Sequence, residues 1–294
     1  MRALDLPKEI MNDEAKTCAT NRIRALVRSV ILGSLFWSCL FLAARGEGAT
    51  LAGQEVRGGG SVDIRFPVAQ YFQDYAAQGG NPRVETGRAV LMFPPGFDLA
   101  RPWPILIVTS TTDANRTSPM DAEWYRRPAT TEGWVVLAPD ATVKPHQDST
   151  NWRLGMLAAA LEFLHKEWPQ SAHWPVAFAG LSGGAKRSGV LGAMLAKSGT
   201  LNICGFLLIG INDDRLSEAY KTFHPSQDFL RVPIWLSSGM SDSIAPPGAH
   251  EHVRLSLQRT GFQHVRVEAF DGGHQVKPAE VQRALRWFRE MGKF

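Results

Sequence analysis

The sequence predicts an α/β protein, a mostly parallel central sheet with helices on both faces. Two observations carry this. From about residue 84 strand-like and helix-like segments alternate. Most of the strand-like segments are short, continuous apolar runs, as expected of parallel strands buried on both faces. The 294 residues, 44% hydrophobic and 20% charged, are ample for one sizeable core.

Residues 88–93 (RAVLMF) read as the first strand of the body, stopped by Pro94-Pro95-Gly96. Ile105–Thr109 (ILIVT) and residues 134–138 (WVVLA) are buried-strand runs. A helix is expected over 151–168, where Leu154, Leu157, Leu161 and Leu164 recur at helical spacing. Then follow a strand at 176–179, a helix at 184–197 and strands at 206–211 and 234–237. A helix at 250–260, a strand at Val265–Phe270 and a closing helix at 279–291 complete the chain. Between Leu201 and Asp242 only about one strand and one helix fit, so no large cap domain is expected. The catalytic domain is placed at 84–294, with 47–83 as a lead-in whose Gly-rich start, 47–62, reads as flexible.

Residues 30–44 (VILGSLFWSCLFLAA) form an apolar run behind Arg22, Arg24 and Arg28, with small residues at Ala44 and Gly46. These are the parts of a secretory signal, and the run is shorter than the ~20 residues of a membrane-spanning helix. The segment 1–46 is therefore expected to be a signal peptide, the mature chain starting near Glu47 in the periplasm or outside the cell. The alternative is an uncleaved membrane anchor. Lipid attachment at Cys39 fits poorly, because Phe36-Trp37-Ser38 is too bulky for a lipoprotein cleavage site.

The formal net charge of +4 is concentrated in this leader, whose seven basic and four acidic residues leave 25 basic and 24 acidic in the body. A body so close to neutral gives no electrostatic footprint for nucleic acid. Of Cys18, Cys39 and Cys204, only Cys204 lies outside the leader, in an apolar run where a buried small hydrophobe is expected. No G-x-G-x-x-G or phosphate-binding loop follows a strand, and His250-Glu251-His252 has the wrong spacing for two ligands on one helix face. No cofactor and no metal are expected.

The chemistry concentrates at strand ends, where ligands of such sheets bind. Residues 175–189 read PVAFAGLSGGAKRSG, so a strand runs through Gly180-Leu181-Ser182-Gly183-Gly184 into a helix. This is G-x-S-x-G in its strand–turn–helix setting. The turn is tight enough that side chains two residues either side of the Ser would collide with neighbouring elements. The Gly183 N–H would face a reacting carbonyl beside a helix N-terminus. The bland alternative is a glycine-rich turn with Ser182 as a helix cap. A Ser hydroxyl needs a base, and the base an orienting carboxylate. Asp242 follows the strand at 234–237, and Asp271-Gly272-Gly273-His274 follows the last strand. Asp213 and Asp214 occupy an equivalent position one strand earlier, and Asp271 reads as a turn residue.

In these three places the sequence resembles the α/β-hydrolase superfamily, especially its compact bacterial esterases, over about residues 84–292. The resemblance implies Ser182 as nucleophile, Asp242 as orienting acid, His274 as general base and acyl transfer to water through an acyl-enzyme. It also implies a second oxyanion donor after Ile105–Thr109. Many relatives carry His-Gly there; this chain has Thr109-Ser110-Thr111-Thr112, so the N–H of Thr111 or Thr112 would take that place. The expected function is carboxylic ester hydrolysis at an open site that suits a small-molecule, bulky or polymer-attached ester. His146, Trp152 and Arg153, in or beside the loop 140–152, are candidates to meet the substrate. A peptidase of the same fold, or a non-catalytic binding protein, is the alternative.

Overall fold

The computed structural model describes residues 49–111 and 116–294; the leader and Thr112 lie outside them. In chain order the strands are β1 (Thr50–Leu51), β2 (Gln54–Glu55), β3 (Ser61–Pro67), β4 (Thr86–Met92), β5 (Ile105–Thr109), β6 (Val135–Ala141), β7 (Pro175–Leu181), β8 (Asn202–Ile209), β9 (Ile234–Gly239) and β10 (Val265–Phe270). The helices are α1 (Gln70–Ala76), α2 (Ser118–Thr131), α3 (Thr150–Glu167), α4 (Gly183–Ala196), α5 (Arg215–Phe223), α6 (Pro247–Thr260) and α7 (Pro278–Gly292). Apart from the small β1–β2 hairpin, the strands form one eight-stranded sheet in the order β10-β9-β8-β7-β5-β6-β4-β3. Only β4 runs against the rest, since it pairs antiparallel with both β3 and β6.

The apolar runs divide their side chains between two cores. Ile105 and Ile107 face one layer and Leu106 and Val108 the other; Phe206 and Leu208 oppose Leu207 and Ile209 in the same way. One layer is closed by α3, α4, α5 and α6, through residues such as Leu157, Leu191, Leu216 and Leu257. The other is closed by α2 and α7, through Tyr125, Ala129, Leu285 and Phe288. This alternation within uninterrupted hydrophobic strands is what a sheet covered on both faces requires. Cys204 is buried in the second layer, where burial pushes its thiol pKa up.

The domain starts earlier than residue 84. Residues 61–67 (SVDIRFP) alternate exposed and buried along β3, and Val62, Ile64 and Phe66 seal the edge of the core. The described residues from 49 onward form one compact unit, and the segment before residue 84 packs into it. The alternating pattern was present in the sequence, but it follows Gly58-Gly59-Gly60, which reads as flexible chain. Helix α2 also lies where no helix was expected: Pro128 sits inside it, and tertiary packing overrides the cost of the lost hydrogen bond. Between β8 and β9 the chain makes only α5 and a 3-10 turn at Gln227–Arg231, so no cap is inserted there. Among the described residues no helix is long and apolar enough to cross a membrane.

Candidate active site

Ser182 stands between β7 and α4 with φ 58° and ψ −121°. That conformation is costly for a residue with a Cβ, on the order of 1–3 kcal/mol, and persists only where the surroundings impose it. They do so here by close approach. A Cβ on Gly180 would run into the backbone of Gly184 and stand 2.6 Å from Ala185 N, and one on Gly184 would run into Thr109 O. The Ser182 N–H donates to Ile209 O at 2.8 Å, which fixes the turn to the end of β8. The Thr109 hydroxyl donates to Gly184 O at 2.7 Å and shares a 2.8 Å hydrogen bond with Ser188, fixing it to β5. Ser182 makes no side-chain capping bond to α4, so its hydroxyl is not serving as a helix cap.

The loops after β9 and β10 meet beside this turn. A Cβ on Gly239 would collide with the carbonyls of Gly272 and Gly273, and the Ser241 N–H donates to Gly272 O at 2.9 Å. This contact brings His274 Nδ1 to 2.8 Å from Asp242 Oδ2. The imidazole lies over Gly210, its Cε1 2.7 Å from where a Cβ would stand, and Leu181 Cδ1 borders the same point at 3.1 Å. Since Gly210 follows the carbonyl that receives the Ser182 N–H, the ring is at the mouth of the turn.

Asp242 is built to stay ionised. Its side chain is 1% exposed, and its other oxygen accepts the N–H groups of Ile244 at 2.9 Å and Ala245 at 2.8 Å. Burial pushes its pKa up, but the bonds from Ala245, His274 and Ile244 outweigh burial and leave it below the ordinary carboxylate value. The competing carboxylates are engaged elsewhere. Asp214 caps α5 by accepting Ser217 N–H at 3.0 Å, Asp213 pairs with Arg215 at 2.7 Å, and Asp271 is an exposed turn residue.

His250 lies behind the acid loop and is closed to solvent. Its Nε2 accepts the Ile211 N–H at 3.2 Å, and Nδ1 faces Pro246 O at 3.4 Å. It therefore joins the end of β8 to the loop that carries Asp242, and burial lowers its pKa. The sequence carried a sign of this: His250, Val253 and Leu257 share the buried face of α6.

The three substrate candidates separate. Trp152 is 1% exposed and belongs to the core; its place on the buried face of α3, not its nearness to the loop, decides its role. Arg153 is 10% exposed and clamps Asp148 through two bonds, at 2.8 and 3.0 Å. It also reaches the Ser118 hydroxyl at 3.3 Å. Arg187, on α4, shares the same Asp148 at 2.9 Å, and burial pushes its pKa down to about 10. Of the three, only His146 is exposed. Gly183 opens α4, and Thr111 lies against it. Arg116 pairs with the buried Asp121 at 2.7 Å. The raised pKa of Asp121 reflects burial first, opposed by Arg116 and by a hydrogen bond from the Thr111 N–H.

No family model and no curated protein matches the sequence. Solved structures do. The chain is similar to an esterase of Pyrococcus furiosus at TM-score 0.51 and 16% identity, over 78% of this chain and 92% of that one. It is similar to a ferulic acid esterase at TM-score 0.55 and 13% identity, over 79% and 99%. The chain has the α/β-hydrolase fold. Within that fold the residues assembled above occupy the carboxyl ends of β5, β7, β9 and β10. A separate hollow lined by Asp63, Arg65, Arg88, Ala141 and Thr142 lies toward the β3 edge and is bridged by the Arg88–Asp63 ion pair.

Proposed function

We propose that the protein is a serine hydrolase that cleaves carboxylic esters through an acyl-enzyme. The reading rests above all on the Asp242–His274 hydrogen bond at 2.8 Å, set beside a serine held at positive φ. His274 accepts the Ser182 proton as Oγ bonds to the ester carbonyl carbon. The carbonyl electron pair moves to oxygen, where the Gly183 N–H meets it. The pair returns as the C–O bond breaks, and His274 gives its proton to the departing alcohol. Water then attacks the acyl-enzyme with His274 again as base, and the acid leaves as Ser182 is reprotonated. Asp242 holds the tautomer and stabilises the imidazolium without itself taking a proton.

Two solved structures similar to this chain are described as esterases, which supports an ester substrate. Met240 and Ile244, 68% and 57% exposed, flank Asp242 and favour an ester with an apolar group, free or attached to a polymer. The leader in the sequence favours action outside the cytoplasm, with a mature N-terminus near Glu47 that N-terminal sequencing from the native host would check. The test of the activity is covalent labelling by a fluorophosphonate. Wild type should be labelled at one site, Ser182→Ala should not, and normal labelling of that variant would remove the assignment.

A further inference from the structure

An oxyanion in this fold needs a donor opposite the Gly183 N–H, and the sequence offered a backbone N–H of Thr111 or Thr112. Asp121, a side chain 3% exposed, holds Arg116 at 2.7 Å close to the Thr111 backbone. What Thr111 presents to the nucleophile turn is its side chain. A Cβ on Gly183 would stand 2.6 Å from Thr111 Oγ1 and 3.4 Å from Thr111 Cα and Cβ. The hydroxyl is thus packed directly on the residue whose N–H is the first donor.

We propose that Thr111 is the second oxyanion donor through its hydroxyl, facing the Gly183 N–H across the carbonyl oxygen. This rests on the ester-hydrolase reading of the site. A hydroxyl proton turns about a single bond and can meet an acceptor while its oxygen stays fixed, and the branched Cβ restricts Oγ1 to few positions. No proton is transferred in the step: as Ser182 Oγ bonds to carbon, the displaced electron pair on oxygen accepts the Thr111 O–H, and the contact loosens when the pair returns.

The experiment compares Thr111→Val, Thr111→Ala and Thr111→Ser by steady-state kinetics on a p-nitrophenyl ester. Val and Ala keep the backbone N–H and remove the hydroxyl, and Ser restores it. The expected result is a fall in kcat of ~10²–10³ for Val and Ala with KM unchanged, most of it regained in Ser. Denaturant midpoints at the wild-type value show that the fold is kept, and Ala covers the case in which the Val methyl is crowded by Gly183. Wild-type kcat in both Val and Ala would overturn the proposal, as would a Ser variant as slow as Ala. Failure of the underlying reading has a different signature: Ser182→Ala would then keep its activity whatever stands at 111.

Discussion

The Ser182 turn and the Asp242–His274 arm sit side by side and are built differently. The turn spans five consecutive residues, and its shape comes from backbone packed on backbone: Gly180 against Gly184, and Gly184 against Thr109. The arm joins two loops through one backbone contact, Gly239 on Gly272 and Gly273, and then through side-chain hydrogen bonds between residues 32 apart, with the buried His250 behind it. A structure made of backbone contact tolerates almost no added atom and does not titrate. Side-chain bonds respond to charge, and away from the Gly239 and Gly272 contacts the arm has room for added atoms, as at Gly273.

The largest test of this contrast is at the chemistry itself. Ser182→Ala should lower kcat by about 10⁶ while leaving the fold intact, as loss of the nucleophile does in a serine protease; ester turnover by the purified variant measures it. Asp242→Asn should follow at about 10⁴, through the wrong His274 tautomer, whereas Asp213→Asn together with Asp214→Asn should change kcat little. Equal losses from the two changes would mean that the arm is not centred on Asp242.

Packing gives the next effect. Gly184→Ala should cost ~1–3 kcal/mol or more, since its methyl meets a fixed carbonyl instead of a side chain that could move. Gly273→Ala should cost little, because its nearest neighbour would be Ser241 O at 3.9 Å. Urea midpoints of the two variants compare them directly, and similar losses would break the distinction between turn and arm.

The smallest effect is the response to pH. His250 and His165 both have pKa values lowered by burial, His165 to about 4. The unfolded chain therefore binds more protons than the folded one as pH falls through about 6.5. Stability should decline from there toward pH 4, and the raised carboxyls of Asp121 and Asp140 should offset part of the loss in the acid range. His250→Gln should flatten the upper part of the decline in a thermal-melt series, because Gln adds no proton there. An unchanged slope would show that His250 does not link the arm to pH.

How much of this was legible follows from the same contrast. G-x-S-x-G between a strand and a helix is local, so residue types alone marked Ser182 and the tight turn around it. Asp242 and His274 were readable as strand-end residues, but their choice over Asp213 and Asp214 depended on which loops meet. Two glycines before His274 suggested a freely turning loop. Only Gly272 is required, at φ 149° with Phe270 and Gln275 against it.

The sequence by itself determined the layered architecture, because apolar runs with helical segments between them have few ways to bury both faces of a sheet. It also determined the nucleophile turn, because only glycine fits so close an approach of backbones. The tertiary structure alone decided the rest. It set β3 at the sheet edge, although a glycine run precedes it. It put Trp152 in the core instead of at a substrate, and it bound Asp148 between Arg153 and Arg187. It set the Thr111 hydroxyl against Gly183. Each of these depends on a partner distant in sequence or on another element, and the direction a side chain faces is fixed by what packs around it.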